Sequence, residues 1–172
     1  AAGSIDFGLE GSCPASLAIA QDLGVELIWI HEVLGDVESL VATGTSGINT
    51  VADLKGKKVA VPFASTAHFS LLKAMENAGL SASDVTVLDM QPDKIYASWN
   101  SGDIDAAYIW EPTLSQLSNK KTVITSGELA KAGYMTSNVE VVRTKFAEAH
   151  PDIVAAYVKA VSYTHLTLPT NS

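Results

Sequence analysis

Residues 57–72, KKVAVPFASTAHFSLL, constrain the fold more than any other stretch, because an apolar strand runs straight into a helix headed by hydroxyls. Val59, Ala60 and Val61 supply the apolar run, Pro62 closes it, and Ser65 and Thr66 stand where an N-cap and a first helical turn belong. The first backbone N–H groups of a helix have no partner inside it, and the positive end of the helix dipole lies behind them. Such a start can hold a carboxylate, phosphate or sulfonate without a cationic side chain. It is equally the start of an ordinary capped helix, since Ser and Thr lead helices generally. Both readings stand at this point.

The same strand, turn and helix order recurs. Residues 5–9 read as a short strand, Gly11-Ser12-Cys13-Pro14 as a turn, and 15–23 as a helix with Ser12 as cap and Pro14 in the first turn. Residues 25–31, VELIWIH, form the near-continuous apolar run expected of a parallel strand covered on both faces. A strand follows at 39–43, and Gly44-Thr45-Ser46-Gly47 reads as a flexible break between lobes. Beyond it, helices over 67–78 and 93–101 end at Gly79 and Gly102. Strands are expected within 83–88 and over 104–109, 122–125 and 139–143, short helices over 111–117 and 128–132, and two consecutive helices over 144–150 and 151–161. Strands and helices alternating at this spacing imply an α/β fold with mainly parallel sheets. Ligands of such sheets bind at the carboxyl ends of the strands, where the turns at Ser12, Ser65 and Glu111 fall.

Composition narrows the function classes. A formal net charge of -8, from 11 basic and 19 acidic residues with no basic cluster beyond Lys57–Lys58 or Lys120–Lys121, argues against a nucleic-acid partner. No apolar run approaches the roughly 18 residues of a membrane span. Cys13 is the sole cysteine, and the four histidines lack metal-ligand spacing, so neither an intrachain disulfide, a metal nor a cofactor is expected. Cys13 and His68 offer a thiol and a base, but no nucleophile elbow, phosphate loop or dinucleotide fingerprint accompanies them, and no enzymatic activity is expected. The chain opens in what reads as mid-strand, which suggests an internal fragment. Residues 162–172, SYTHLTLPTNS, do not continue the preceding helical period and read as a non-native tail.

Four segments gather the candidate site. Ser12 and Cys13 in one turn and Ser65, Thr66 and His68 in another offer donors to an anion, while Glu38 and Glu111 offer carboxylates to a positive group. Trp110, beside Glu111, can wall a pocket or stack on an ammonium group. Each also has a plain reading: a solvated carboxylate for Glu38, a helix-dipole partner for Glu111, core packing for Trp110 and support of the turn for His68.

The joint pattern of GSCPASLAIA, LGDVESLVA, LKGKKVAVPFASTAHFSLL, MQPDKIYASWNSGDIDAAYIWEP and VVRTKFAEAHPDIVAAYVKAV resembles the substrate-binding proteins of bacterial taurine and alkanesulfonate ABC importers. It is most similar to the taurine-binding group and extends over residues 3–161. The resemblance implies a type II periplasmic-binding fold of two α/β lobes that close on a ligand. It divides the chain into 1–44 as part of a first, incomplete lobe, 45–137 as the second lobe and 138–161 as the return, with 162–172 outside. It further implies a monomeric, periplasmic or surface-anchored protein that captures a small sulfonate and delivers it to a membrane permease. Ser12, Cys13, Ser65, Thr66 and His68 would hold the sulfonate, with Glu38 or Glu111 receiving an ammonium group. At the return crossover the family commonly presents an Asp, whereas this chain has Asn138, which leaves a simple alkanesulfonate open beside taurine. An enzyme or binding protein for a thiamine or pyrimidine precursor on the same scaffold is the alternative.

Overall fold

A computed structural model describes residues 3–167, and the chain divides into two units, Ala1–Glu32 with Asn138–Ser172, and Val33–Ser137. In chain order the elements are β1 (Phe7–Gly11), α1 (Ser12–Ala20), β2 (Val25–Val33) and β3 (Glu38–Thr43), then a 3-10 turn (Val51–Leu54). Next come β4 (Lys58–Val61), α2 (Thr66–Asn77), β5 (Thr86–Asp89), α3 (Pro92–Ser101), β6 (Ala106–Trp110) and α4 (Thr113–Gln116). The chain continues through β7 (Lys120–Thr125), α5 (Ser126–Lys131), β8 (Ser137–Arg143), α6 (Thr144–Ala149) and α7 (Pro151–Thr167).

The second unit is built on a five-stranded sheet in the order β5-β4-β6-β3-β7. Side chains alternate across its strands, so each strand feeds two cores. Leu40, Ala42, Val59, Val61, Ala106 and Tyr108 pack on one face with Ala67, Leu71 and Met75 of α2 and Leu129 of α5. Val41, Ala60, Ala107 and Ile109 pack on the other with Ile95 and Trp99 of α3 and Leu114 of α4. Leu40, Leu71, Ile95 and Ile109 are fully buried, each worth about 1.5–3 kcal/mol of transfer free energy. Helices on both faces explain why β3, β4 and β6 read as continuous apolar runs rather than alternating ones.

The α/β class expected from the sequence holds, but the sheets are mixed rather than mainly parallel. β4 runs parallel to β5 and β6, whereas β3 is antiparallel to both of its neighbours, β6 and β7. This geometry sets up one functional edge. The parallel strands end there at Val61, Asp89 and Trp110, β3 begins there at Glu38, and β7 ends there at Thr125, with Val61 opposite Asp89, Glu38 opposite Trp110 and Ser39 opposite Thr125. The helices α2 and α5 start from that edge.

The pairing of β3 on both sides also draws it into the second unit. The chain therefore passes between units at Glu32–Val33 rather than at the Gly44–Gly47 break, and passes back between Ser137 and Asn138.

The first unit carries a three-stranded sheet in the order β1-β8-β2, with β1 and β8 antiparallel. Its buried cluster is small: Ala15, Val139 and Val141. β2 is an edge strand, and its apolar run is not covered on both faces as its sequence suggests: Leu27 and Ile30 are exposed. Phe7 of β1 stacks on Tyr157 of α7 and meets Phe146 of α6 edge-on. Contrary to the break expected at residue 162, α7 continues to Thr167. Within this stretch the hydroxyls of Ser162 and Thr164 bond back to the carbonyls of Lys159 and Ala160. Of the suspected tail, residues 168–172 lie outside the described residues. Among the described residues no helix is long and apolar enough to cross a membrane.

Candidate functional site

The α2 start is a capped helix whose first turn is fixed by its own hydroxyls. Ser65 is the N-cap: its Oγ accepts from the His68 amide at 3.1 Å and donates to the Pro62 carbonyl at 2.6 Å. Thr66 turns its hydroxyl inward and donates to Glu38 Oε2 at 2.6 Å. Each hydroxyl has one proton, and both are already donated within the chain. The Thr66 and Ala67 amides, which helix geometry leaves without an intrahelical acceptor, meet no acceptor among the described residues. The anion-holding capacity of this turn therefore lies in main-chain N–H groups and the helix dipole rather than in the two hydroxyls.

His68 supports the turn. Its Nδ1 accepts from the Ala64 amide at 3.3 Å, and its ring stacks on Phe63 with centroids 4.3 Å apart and planes 2° from parallel. Partial burial lowers its pKa, against an opposing pull from the Asp89 carboxylate. The neutral imidazole that accepts at Nδ1 is thereby favoured.

Glu38 is not a solvated carboxylate. It is 1% exposed, at the first position of β3 opposite Trp110. Its second oxygen, Oε1, accepts from Ser126 Oγ at 2.7 Å. Ser126 is the buried first residue of α5, placed by a capping box in which Thr125 Oγ1 accepts from the Glu128 amide and the Glu128 carboxylate accepts from the Thr125 amide. Tyr108 Oη lies 3.0 Å and Ser70 Oγ 3.5 Å from Ser126 Oγ. Burial raises the Glu38 pKa, partly offset by hydrogen bonds from Thr66, Ser126 and Ser70. The same burial raises that of Tyr108. Ser70 and Ser126 escaped the sequence reading; the TSGE capping-box pattern at Thr125–Glu128 was the available signal for Ser126.

Trp110 ends β6 half-buried, packed against both core clusters. Glu111 follows, its amide donating to the Val37 carbonyl at 3.0 Å. Its exposed carboxylate accepts from the Ser115 amide at 2.9 Å and the Ser115 hydroxyl at 2.7 Å, closing the first turn of α4. Glu38, Ser65, Thr66, His68, Trp110 and Glu111 thus share the carboxyl edge of one sheet. Gly127 belongs there too, and a Cβ on it would lie 3.3 Å from Gly35 Cα, so α5 packs closely on this loop.

The remaining candidates lie in the first unit. The N-cap of α1 is Gly11, not Ser12, since Ser12 is already helical; Ser12 and Cys13 form the first turn and are partly buried. Gly11 pairs across the sheet with Asn138, whose Nδ2 donates to Glu32 Oε1 at 2.8 Å, so Asn138 stands beside the start of α1. The sequence reading also missed His31 and the buried Glu140, joined by a 2.7 Å hydrogen bond. Among the described residues no group of His, Cys, Asp and Glu could hold a metal ion.

A family model described as NMT1/THI5 like matches residues 1–165. The chain is 40% identical over 161 residues to the taurine-binding periplasmic protein of Escherichia coli, covering 93% of this chain and 50% of that protein. It is 34% identical to a putative aliphatic sulfonates-binding protein of Bacillus subtilis, over 92% of this chain and 48% of that one. It therefore spans about half the length of these curated relatives. The crystal structure of the periplasmic aliphatic sulphonate binding protein SsuA from Escherichia coli superposes with a TM-score of 0.81 at 26% identity, over 95% of this chain and 56% of the other. The fold is that of the type II periplasmic binding proteins.

Proposed function

Because the chain belongs to the NMT1/THI5-like family, we propose that it is part of the solute-binding component of a bacterial ABC importer and captures a small sulfonate, taurine or an alkanesulfonate. It acts outside the cytoplasmic membrane, as a monomer in the periplasm or anchored at the surface. Two lobes close on the ligand and deliver it, chemically unchanged, to a membrane permease. The names of the relatives support the ligand class. The observation that carries the reading is the first turn of α2, where the Thr66 and Ala67 amides stand without an acceptor at the carboxyl edge of the sheet. A sulfonate needs several donors but no proton transfer, and such amides supply them in fixed positions.

Ser12, Cys13 and Asn138, gathered at the start of α1, form the first unit's contribution to ligand capture. Of the two carboxylates, Glu111 is the better ammonium receptor, because it is exposed whereas Glu38 is buried. Calorimetric titration with taurine, ethanesulfonate and sulfate, on the chain and on a version extended to its relatives' full length, tests the reading. Saturable heat with the sulfonates supports it, and no heat with any of the three overturns it. Mass analysis after long incubation addresses the alternative, an enzyme acting on a thiamine or pyrimidine precursor: recovery of intact sulfonate fits capture, and time-dependent product fits catalysis.

A further inference from the structure

Glu38 sits beneath the anion seat rather than in it. Its two oxygens accept from Thr66 Oγ1 at 2.6 Å and Ser126 Oγ at 2.7 Å, and these donors are the first residues of α2 and α5. Ser126 has one hydroxyl proton and gives it to Glu38, so at the 3.0 Å contact with Tyr108 the tyrosine is the donor. Protons thus run one way, from Tyr108 on β6 through Ser126 to Glu38, and from Thr66 to Glu38. One carboxylate ties together two helix starts and two neighbouring strands of the sheet. At 1% exposure the carboxylate is closed to an ammonium group by burial.

We propose that Glu38 is a positioning residue: by holding the Thr66 and Ser126 hydroxyls it fixes the first turn of α2, and with it the direction of the amides that receive the ligand's anionic group. This rests on the sulfonate-capture reading for its ligand, though not for its geometry. Amides aimed by packing alone would lose their common focus when α2 rocks on the sheet, and buried charge-assisted hydrogen bonds supply the missing constraint. The role differs from ammonium binding in a measurable way, since it serves every sulfonate equally, with or without an amine.

The test uses the 172-residue chain carrying Glu38→Ala, Glu38→Asp, Glu38→Gln or Ser126→Ala. Binding of taurine and of ethanesulfonate is measured calorimetrically, and amide hydrogen exchange is followed without ligand. Glu38→Ala and Glu38→Asp, which lose the reach to both hydroxyls, should weaken both sulfonates by the same factor, about 10- to 100-fold. Glu38→Gln keeps the length, accepts from Thr66 and donates to Ser126, and should restore both to within about threefold of the parent. Exchange should accelerate at residues 66–69 and 126–129 in Glu38→Ala and Ser126→Ala, while α3 stays unchanged. A loss confined to taurine in Glu38→Gln would instead make Glu38 an ammonium receptor and overturn the proposal. So would unaltered exchange in both first turns. If neither the parent chain nor the version extended to its relatives' full length binds a sulfonate, the capture reading fails, and the exchange data decide the positioning role without it.

Discussion

Thr66 donates its hydroxyl proton to Glu38 across 2.6 Å in a site where Glu38 is 1% exposed, so the side chain best placed by sequence to meet an anion faces into the protein instead. The ligand-facing chemistry of the α2 start passes to the main chain, and the hydroxyl becomes part of the scaffold. Ser65 does the same through its bond to the Pro62 carbonyl.

Replacing Thr66 with Val keeps its shape and removes its donor, leaving Glu38 Oε2 short of a partner in a buried site. The variant should lose about 1.5–3 kcal/mol of stability in urea unfolding, and Thr66→Ser should lose markedly less. Equal stability of the Val variant and the parent would mean that the bond contributes nothing.

The raised pKa of Glu38 gives a definite sign with pH. Burial makes the folded state hold this proton more tightly than the unfolded chain, whose value is near the ordinary 4.5. The stability it contributes is therefore fully present below pH 4.5 and lost as pH rises through the folded value. Unfolding free energies of the parent minus those of Glu38→Gln should fall between pH 4.5 and neutrality. A rising difference would contradict this.

Glu111 should distinguish ligands where Glu38 does not. Glu111→Gln is expected to weaken taurine and leave ethanesulfonate unchanged, as measured by calorimetry. Ser115→Ala, which removes one donor to the Glu111 carboxylate, should leave it freer for an ammonium group and not weaken taurine. Equal loss of both ligands in Glu111→Gln would assign Glu111 to the α4 turn alone.

Gly127→Ala places a methyl 3.3 Å from Gly35 Cα and 3.4 Å from Asp36 Oδ1. Backbone is hard to displace, so the variant should lose about 1–3 kcal/mol in urea unfolding. An unchanged midpoint would show that the loop carrying Asp36 yields freely.

The strand, turn and helix at 57–72 was legible because its signals are local: an apolar run, a proline, and a hydroxyl at the cap. The same local signals located α3, with its Gly102 cap in the left-handed conformation. Misreadings came where distant partners decide. Nothing near β3 reveals that β6 and β7 pair with it on both sides, which moved the passage between units to Glu32–Val33. The VELIWIH run could not announce that β2 lies at a sheet edge. The candidate residues on the second sheet did gather at one edge, yet their roles depended on Glu38 reaching Thr66 and Ser126, 28 and 88 positions away in sequence. Ser126 carries no signature of its own beyond the cap beside it.

The most direct measurement is the amide NMR spectrum of the chain titrated with ethanesulfonate, which has no amine to engage a carboxylate. Capture at the start of α2 predicts saturable shifts at the Thr66 and Ala67 amides, with those of α3 unmoved. Saturation of the calorimetric signal while the Thr66 and Ala67 amides stay unmoved would contradict it.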